Sequence, residues 1–333
     1  MTWTRTLWQA GLEGPLLVEV GSLFSIEKKD LIVANGARIF VYSPLNTTYQ
    51  PAATIDVNQP ILSLSVGLPA FATENIFVGT ADRIIAYGNR QGRITKLWQT
   101  EPEPGANFMD IVLADVDGDG REELAAIAGG INTLFVYLLT GQTLQALRPE
   151  LLAIRQLQGV PQNIAAFRPE PERPPFLAIS YTINQSTGII TLFITETGFQ
   201  EGPATGKLPY QIPDLSAADL LPQPGEELAA AASDGSVRIF TANARLAAAL
   251  VTKNLGSTVT AVEAMTDEQQ ESLLVAGTPG GYVFGFSSPG ITDEPNWAFR
   301  AGGPVNDLAI IDGERIAVGT TNGILQVWQI HRP

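Results

Sequence analysis

Short apolar stretches alternate with small polar turns along this chain, and few windows carry the 3.6-residue period of an amphipathic helix. Seven segments share one pattern: a short apolar strand ending in small residues, a turn, and a strand rich in β-branched and aromatic residues. Turn formers such as Asn322-Gly323 supply positive φ at little cost, so each segment predicts a β-hairpin. The segments are DLIVANGARIFVY, NIFVGTADRIIAYG, ELAAIAGGINTLFVYL, FLAISYTINQSTGIITLFI, ELAAAASDGSVRIF, LLVAGTPGGYVFGF and RIAVGTTNGILQVW.

The repeat spacing is the strongest signal of architecture. Equivalent small residues recur every 42 to 52 positions, at Ala34, Gly79, Ala128, Ser180, Ala232, Gly277 and Gly319. Such a period is typical of β-propeller blades. A strand upstream of each hairpin, such as MDIVLAD, and one downstream, such as RITKLWQTE, complete four-stranded units. We therefore expect an all-β fold, a seven-bladed β-propeller of four-stranded antiparallel blades.

The chain ends predict how the ring closes. The last repeat stops at GILQVWQIHRP without a fourth strand, while the N-terminal TRTLWQAGLEG resembles ITKLWQTEPEPG, with Trp8 in the place of Trp98. Residues 2 to 10 are predicted to form the outer strand of the seventh blade, which leaves no unpaired edge. One domain over 1–333 follows, with blades near 11–57, 58–105, 106–159, 160–211, 212–256, 257–301, and 302–333 plus 1–10.

Composition narrows the function classes. The 20 Lys plus Arg against 34 Asp plus Glu give a net charge of −14, which repels phosphate backbones and predicts no nucleic-acid partner. No run approaches the roughly 18 apolar residues of a membrane span, and no secretory signal is visible, so we expect a cytoplasmic protein without membrane insertion. The absence of Cys and the single His331 exclude thiolate metal sites and leave little basis for a Ser-His-Asp triad.

The stretch DVDGDGREE carries the clearest candidate chemistry. Its acids stand at alternating positions, and the predicted ligands are Asp115, Asp117, Asp119, the backbone carbonyl of Arg121, and Glu123. Calcium takes six to eight oxygen ligands, and alternating carboxylates on a tight turn supply them from one segment. Position 12 of the loop is Ala126 rather than the bidentate Glu of an EF-hand, so Glu123 is expected to close the cage.

The alternative is a solvated Asp/Gly turn without metal. In that case three neighbouring carboxylates would raise one another's pKa, a cost that a cation removes. We predict one Ca²⁺ site with a structural role.

The same loop carries a family resemblance. It is similar to the Asp-x-Asp-x-Asp-Gly-x-x-Asp/Glu loop of FG-GAP or VCBS-type β-propellers, found in integrin α-subunit heads and in propellers of the BBSome. The resemblance implies the calcium site and a role in binding proteins. It covers one blade closely; in the fifth repeat Asp219 and Glu227 keep the ends of the motif, but Leu221 and Gln223 replace its middle acids.

A second resemblance concerns the repeats. Units such as NIFVGTADRIIAYGNRQGRITKLWQTE look like those of quinoprotein-type propellers. Seven units and no vicinal cysteines argue against a quinone enzyme, and cofactor-free proteins with that repeat act as assembly scaffolds.

These observations favour a non-enzymatic protein-interaction scaffold with protein partners, in a multi-protein complex. Two alternatives stay open. A carbohydrate-binding, lectin-like propeller would use tryptophans as a stacking platform, and an enzyme would place converging acids or a cofactor in the central channel. Most of the five tryptophans fall on predicted outer strands, where packing between blades is their expected role.

Overall fold

The computed structural model describes residues 3–67, 74–141, 146–267, 269–287 and 291–331. Within these ranges the chain forms 28 strands, which make seven four-stranded antiparallel sheets. In six sheets the strands follow one another in sequence order, and the seventh joins the two ends of the chain. The predicted seven-bladed β-propeller is confirmed.

Each blade is numbered in chain order, with its first strand innermost and its fourth strand outermost. Blade one comprises β2 (Leu17–Gly21), β3 (Asp30–Asn35), β4 (Arg38–Leu45) and β5 (Thr48–Asp56). Blade two comprises β6 (Ser63–Gly67), β7 (Asn75–Gly79), β8 (Ile84–Arg90) and β9 (Arg93–Gln99). Blade three comprises β10 (Phe108–Ala114), β11 (Glu123–Ala128), β12 (Thr133–Thr140) and β13 (Arg148–Gln156).

The remaining blades follow the same plan. Blade four comprises β14 (Val160–Phe167), β15 (Phe176–Ile183), β16 (Ser186–Thr195) and β17 (Gly198–Glu201). Blade five comprises β18 (Asp214–Ala218), β19 (Glu227–Ala231), β20 (Val237–Ala242) and β21 (Leu246–Val251). Blade six comprises β22 (Ala261–Thr266), β23 (Ser272–Gly277), β24 (Tyr282–Ser287) and β25 (Trp297–Arg300). Blade seven comprises β26 (Val305–Asp312), β27 (Arg315–Thr320), β28 (Ile324–His331) and, from the N-terminus, β1 (Trp3–Gly11).

In six of the seven blades the second strand is the most deeply buried, because both of its faces are covered by neighbouring blades. Every residue of β11 and of β23 is buried, and both strands are apolar apart from their first residue. Small residues let blades approach closely: a Cβ built on Gly319 would lie 2.5 Å from Val18 Cγ2 in blade one. The sequence motif of small residues is therefore a consequence of blade packing.

Apolar clusters fill the spaces between adjacent blades. Between blades two and three, the Phe77 and Trp98 rings lie 5.8 Å apart and the Phe108 and Phe135 rings 5.7 Å apart. Burial of rings of this size is a main source of the free energy of folding. The tryptophans of the outer strands belong to this packing, as the repeat pattern predicts.

Strand β1 closes the ring. It pairs antiparallel with β28 from Trp3 opposite His331 to Gly11 opposite Ile324. The Trp8 ring contacts blade one, with its centroid 5.0 Å from that of Tyr42 and 5.7 Å from that of Tyr49. The predicted closure by the N-terminal strand is thus confirmed, and Trp8 ties blade seven to blade one.

The outer strands share a feature that the sequence pattern does not reveal. In five blades one residue of the outer strand is skipped in the pairing with the third strand, at Leu7, Ala52, Leu97, Leu152 and Ala249. Such β-bulges increase strand twist and disturb the free edge, which hinders pairing with other chains.

We expect Trp8→Ala to lower the free energy of unfolding by about 2–3 kcal/mol, below the cost for a fully buried Trp because the indole is partly exposed. Urea unfolding followed by circular dichroism measures the loss. The control is Arg5→Ala on the same strand, an exposed position expected to change stability by less than about 0.5 kcal/mol. Equal effects of the two substitutions would show that the Trp8 contact does not stabilise the closed ring.

Candidate metal centre and axial channel

The acidic loop joins β10 to β11 in blade three, and its own carboxylates shape it. Asp115 accepts hydrogen bonds from the Gly118 N–H (2.8 Å) and the Gly120 N–H (3.1 Å). Asp117 accepts from the Asp119 N–H at 3.0 Å. Gly118 and Gly120 have φ of 81° and 85°, a conformation that glycine adopts without strain. Alternating acids and glycines thus fold the loop into a tight turn.

Three of the predicted ligands converge. One carboxylate oxygen each of Asp115, Asp117 and Glu123 can be chosen so that all three lie within 4.8 Å of one another. Glu123 is fully buried at the start of β11; its Oε2 accepts the Val116 N–H at 2.9 Å, whereas its Oε1 has no hydrogen-bond partner. Burial, and then the charges of Asp117 and the other loop acids, raise the pKa of Glu123 to about 7.

This arrangement suits a hard cation. A buried oxygen without a partner is costly, and an all-oxygen donor set is what calcium prefers. The positions of these carboxylates are compatible with calcium, and calcium binding itself remains a prediction.

Two predicted ligands remain: Asp119, whose carboxylate does not belong to this group of three, and the backbone carbonyl of Arg121. Asp119 accepts a hydrogen bond from the Arg121 N–H at 2.8 Å, and both residues are exposed. Their predicted contribution, a carboxylate and a backbone carbonyl, stays a prediction.

An acid at the start of the second strand recurs in other blades, and there it accepts backbone N–H groups of the loop that precedes the strand. Asp30 accepts the N–H groups of Leu23 (3.0 Å) and Phe24 (3.3 Å). Glu227 accepts those of Leu220 (2.9 Å) and Leu221 (3.0 Å) with one oxygen. Part of the role of Glu123 is therefore to hold its loop, a function that sequence reasoning missed.

The acidic loop also contacts blade four. A Cβ built on Gly118 would lie 3.0 Å from Pro174, which belongs to the Pro-rich segment between β14 and β15. That segment is in turn joined to blade five, since the Glu226 N–H donates to the Arg168 carbonyl (2.8 Å) and the Arg168 N–H to the Glu226 carboxylate (2.6 Å). Contacts between loops thus connect the acidic loop of blade three to blade four, and blade four to blade five.

A second acidic site lies on the ring axis and was not predicted from the sequence. The inner strands of all seven blades enclose a cavity of about 380 Å³. Five carboxylates line it, and the described lining residues include no Lys, Arg or His. The five are Glu19, Asp110, Asp214, Glu263 and Asp307.

The three aspartates join adjacent blades. Asp110 accepts the Ile164 N–H of blade four at 2.8 Å. Asp214 accepts the Val262 N–H of blade six at 2.8 Å, and Asp307 accepts the Val18 N–H of blade one at 2.7 Å. Each also accepts the N–H of the residue that follows it in the chain. Because charge-assisted bonds of this kind are strong, these aspartates hold the inner strands in register.

The axial position changes the acidity of these groups. Withdrawal from bulk water raises the pKa of Glu263 to about 8, of Asp110 to about 7 and of Asp307 to about 6. The same cause raises the pKa of Glu19 and Asp214 well above their ordinary values. Mutual repulsion adds to the shift, because other channel acids act on Glu19, Asp214 and Glu263.

The tryptophans whose side chains are described do not form a stacking platform. Trp98 and Trp297 are 5% and 6% exposed, and the Trp328 ring stacks on Phe299 at 3.9 Å. With Trp8 packed on blade one, these four rings serve the core. The hypothesis of a carbohydrate-binding propeller was based on a stacking platform of tryptophans, and these four side chains do not provide one.

The similarity of this chain to known proteins is limited to its fold. No known protein-family model and no curated protein sequence matches the chain. Among solved structures, the chain is similar to the crystal structure of BBS1N in complex with ARL6DN, soaked with mercury. The TM-score is 0.70 at 12% sequence identity, over 99% of this chain and 96% of that one.

That likeness supports the seven-bladed propeller fold and does not extend to the FG-GAP or VCBS repeat assignment. Within the described part of the chain, no helix has the length and apolar character needed to span a membrane.

We expect stability to fall as pH rises from about 4 to 8. The channel acids have native pKa values of about 6 to 8 but ordinary values when unfolded, so in this window the native state binds more protons. Urea midpoints at several pH values, at constant ionic strength and with chelator present, measure the slope.

Glu263→Gln should flatten that slope, whereas the exposed Glu196→Gln should leave it unchanged. A urea midpoint that rises with pH in the native chain would contradict the assignment of raised pKa values to the channel acids.

Proposed function

We propose that this chain is a non-enzymatic protein-interaction scaffold whose blade-three loop is stabilised by one calcium ion. The calcium part rests on the convergence of one carboxylate oxygen each of Asp115, Asp117 and Glu123, and on the buried Oε1 of Glu123, which has no hydrogen-bond partner among the described residues. Calcium bound there would satisfy that oxygen and offset the repulsion among the three carboxylates. Asp119 and the Arg121 carbonyl would complete the shell.

The role of the ion would be structural. The loop is anchored at both ends by strands of one blade, and Gly118 packs against Pro174 of the next. Ion binding would therefore fix the relative positions of loops in blades three and four. Cytoplasmic calcium levels would fill the site only if its affinity is high, which its buried carboxylate favours.

The scaffold part is supported by the closed ring and by residue chemistry. A propeller presents loops and outer strands around a rigid body, and the chain has no Cys and one His to serve nucleophilic catalysis. The similar BBS1N structure was solved in complex with ARL6DN, so a propeller of this shape can bind a protein. Fold alone does not determine function, and the inference is by analogy.

The channel acids are the feature that an enzyme would require, since converging groups with raised pKa are typical of catalytic sites. Three of the five already accept N–H groups from neighbouring blades, which is a structural use. The scaffold is therefore the function that the geometry supports best.

The outer edge of blade three is our candidate partner surface. Leu151 and Ile154 on β13 are 54% and 57% exposed, and Leu152 between them is 40% exposed. The bulge at Leu152 brings Leu151 and Ile154 onto one face, because they pair with Tyr137 and Phe135 on the same face of β12. Clustered exposed apolar side chains mark interaction sites more often than isolated ones do.

Calcium titration tests the metal. We expect Ca²⁺ to bind at one site per chain by isothermal titration and to raise the melting temperature, with about 2.7 kcal/mol of stabilisation at 100 times Kd. Asp117→Asn should abolish both effects, whereas Asp293→Asn, an exposed loop acid elsewhere, should preserve them. No calcium binding by the native chain, or equal binding by Asp117→Asn, would overturn the calcium site and leave the scaffold standing.

The partner surface is tested with Leu151→Glu/Ile154→Glu. In affinity purification from the cells that express the chain, quantified by mass spectrometry, we expect a stoichiometric protein partner whose recovery falls at least about tenfold in the double variant, as for loss of a central apolar anchor. The control Glu150→Gln/Gln156→Glu changes the same strand without adding net charge to the apolar pair. Equal recovery with both variants would exclude this surface.

A further inference from the structure

The channel concentrates negative charge without a matching cation from the protein. No Lys, Arg or His in the described part of the chain acts on the pKa values of its five acids. The charged groups that do act on them are other acids of the channel. Like charges in a low-dielectric enclosure repel strongly. The folded chain must therefore hold protons there, or bind a cation from outside.

Two of the five acids accept no backbone N–H from another blade within the described ranges, although the Ser216 bond of Glu263 links blades five and six. Glu263 accepts a bond from the Ser216 hydroxyl at 3.2 Å, and Glu19 interacts with the backbone of Val20 next to it. Glu263 is also the charged group that acts most strongly on Glu19. The two glutamates thus face a common space and keep acceptor capacity for a ligand.

An unpartnered hydroxyl points to the same space. Ser65 lines the channel and is 9% exposed, yet no residue in the described ranges forms a hydrogen bond with its side chain. By contrast, Ser63 two residues earlier donates to the Phe108 carbonyl at 3.0 Å. The Ser65 hydroxyl is therefore free to bond to whatever the channel holds.

The spacing of the acids selects the kind of cation. Among the described residues, the acidic loop is the only place where three acidic ligand atoms lie within 4.8 Å of one another, so the channel acids do not form a cage for a bare metal ion. The cavity of about 380 Å³ has room for about a dozen water molecules. A ligand with separated positive charges fits a ring of separated carboxylates better than a single ion does.

We propose that the axial channel is a binding site for an organic cation of the linear alkyl diamine class, with its ammonium groups bound by Glu19 and Glu263. Each ammonium offers three N–H donors, which match carboxylate oxygens and the Ser65 hydroxyl. The same alkylammonium chemistry could be presented by a lysine side chain of a partner protein. The site is independent of the calcium loop, which lies between β10 and β11 in blade three.

Isothermal titration with 1,4-diaminobutane at pH near 8, in the presence of chelator, tests the proposal. We expect one site per chain, weaker binding near pH 6 where the channel acids are protonated, and weaker binding by ethylamine, which has a single charge. A Gly-Lys-Gly peptide distinguishes the source: tighter binding of the peptide assigns the site to a partner lysine, and tighter binding of the diamine assigns it to a free small molecule.

Matched variants locate the binding. Glu19→Gln/Glu263→Gln should weaken diamine binding at least about tenfold, as expected when charged partners are removed from a desolvated site. It should fold well, because it removes repelling buried charges. Glu172→Gln/Glu196→Gln, which makes the same change of net charge at exposed positions, and Asp117→Asn in the calcium loop should bind as the native chain does. Absence of binding by both diamine and peptide, or equal loss in both Gln pairs, would overturn the proposal.

Discussion

Closure of the ring by pairing of β1 with β28 is the constraint on which the other features depend. Only a closed ring gives each second strand a neighbour on both faces, and only then can strands such as β11 be buried throughout. Closure also sets the axis, because seven inner strands held at fixed angles enclose a cavity that no single blade contains. The core and the channel are therefore joint properties of all seven blades.

Charge along the axis has two opposing effects. Asp110, Asp214 and Asp307 join neighbouring blades by accepting backbone N–H groups, which favours their ionised form. Burial favours the protonated form of all three and prevails, and repulsion by other channel acids adds to the raised pKa at Asp110 and Asp214. The acidic loop shows the same conflict on a smaller scale at Glu123, where one oxygen accepts a loop N–H and the other has no hydrogen-bond partner within the described ranges.

The blade count, the closure and the acidic loop could be predicted from the sequence because each depends on local pattern: small residues at a regular period, a displaced outer strand with Trp8, and acids at alternating positions. The channel could not. Glu19 and Glu263 are 244 residues apart in sequence and line the same cavity only because blades one and six face the same axis. Nor could the bulge at Leu152, since it depends on how two strands twist in the assembled blade. The separation of Asp119 from the other loop acids depends on the turn geometry, which spacing alone does not specify.

The antiparallel register of the closing pair has a mechanical consequence. Trp3 lies opposite His331, so the two ends of the described chain leave the ring side by side. Tension between them would load the pair at its terminal hydrogen bond and peel β1 away one residue at a time, rather than straining the whole ladder at once. Under force the propeller would therefore open first at the β1–β28 pair, while the six blades made from continuous chain kept their sheets.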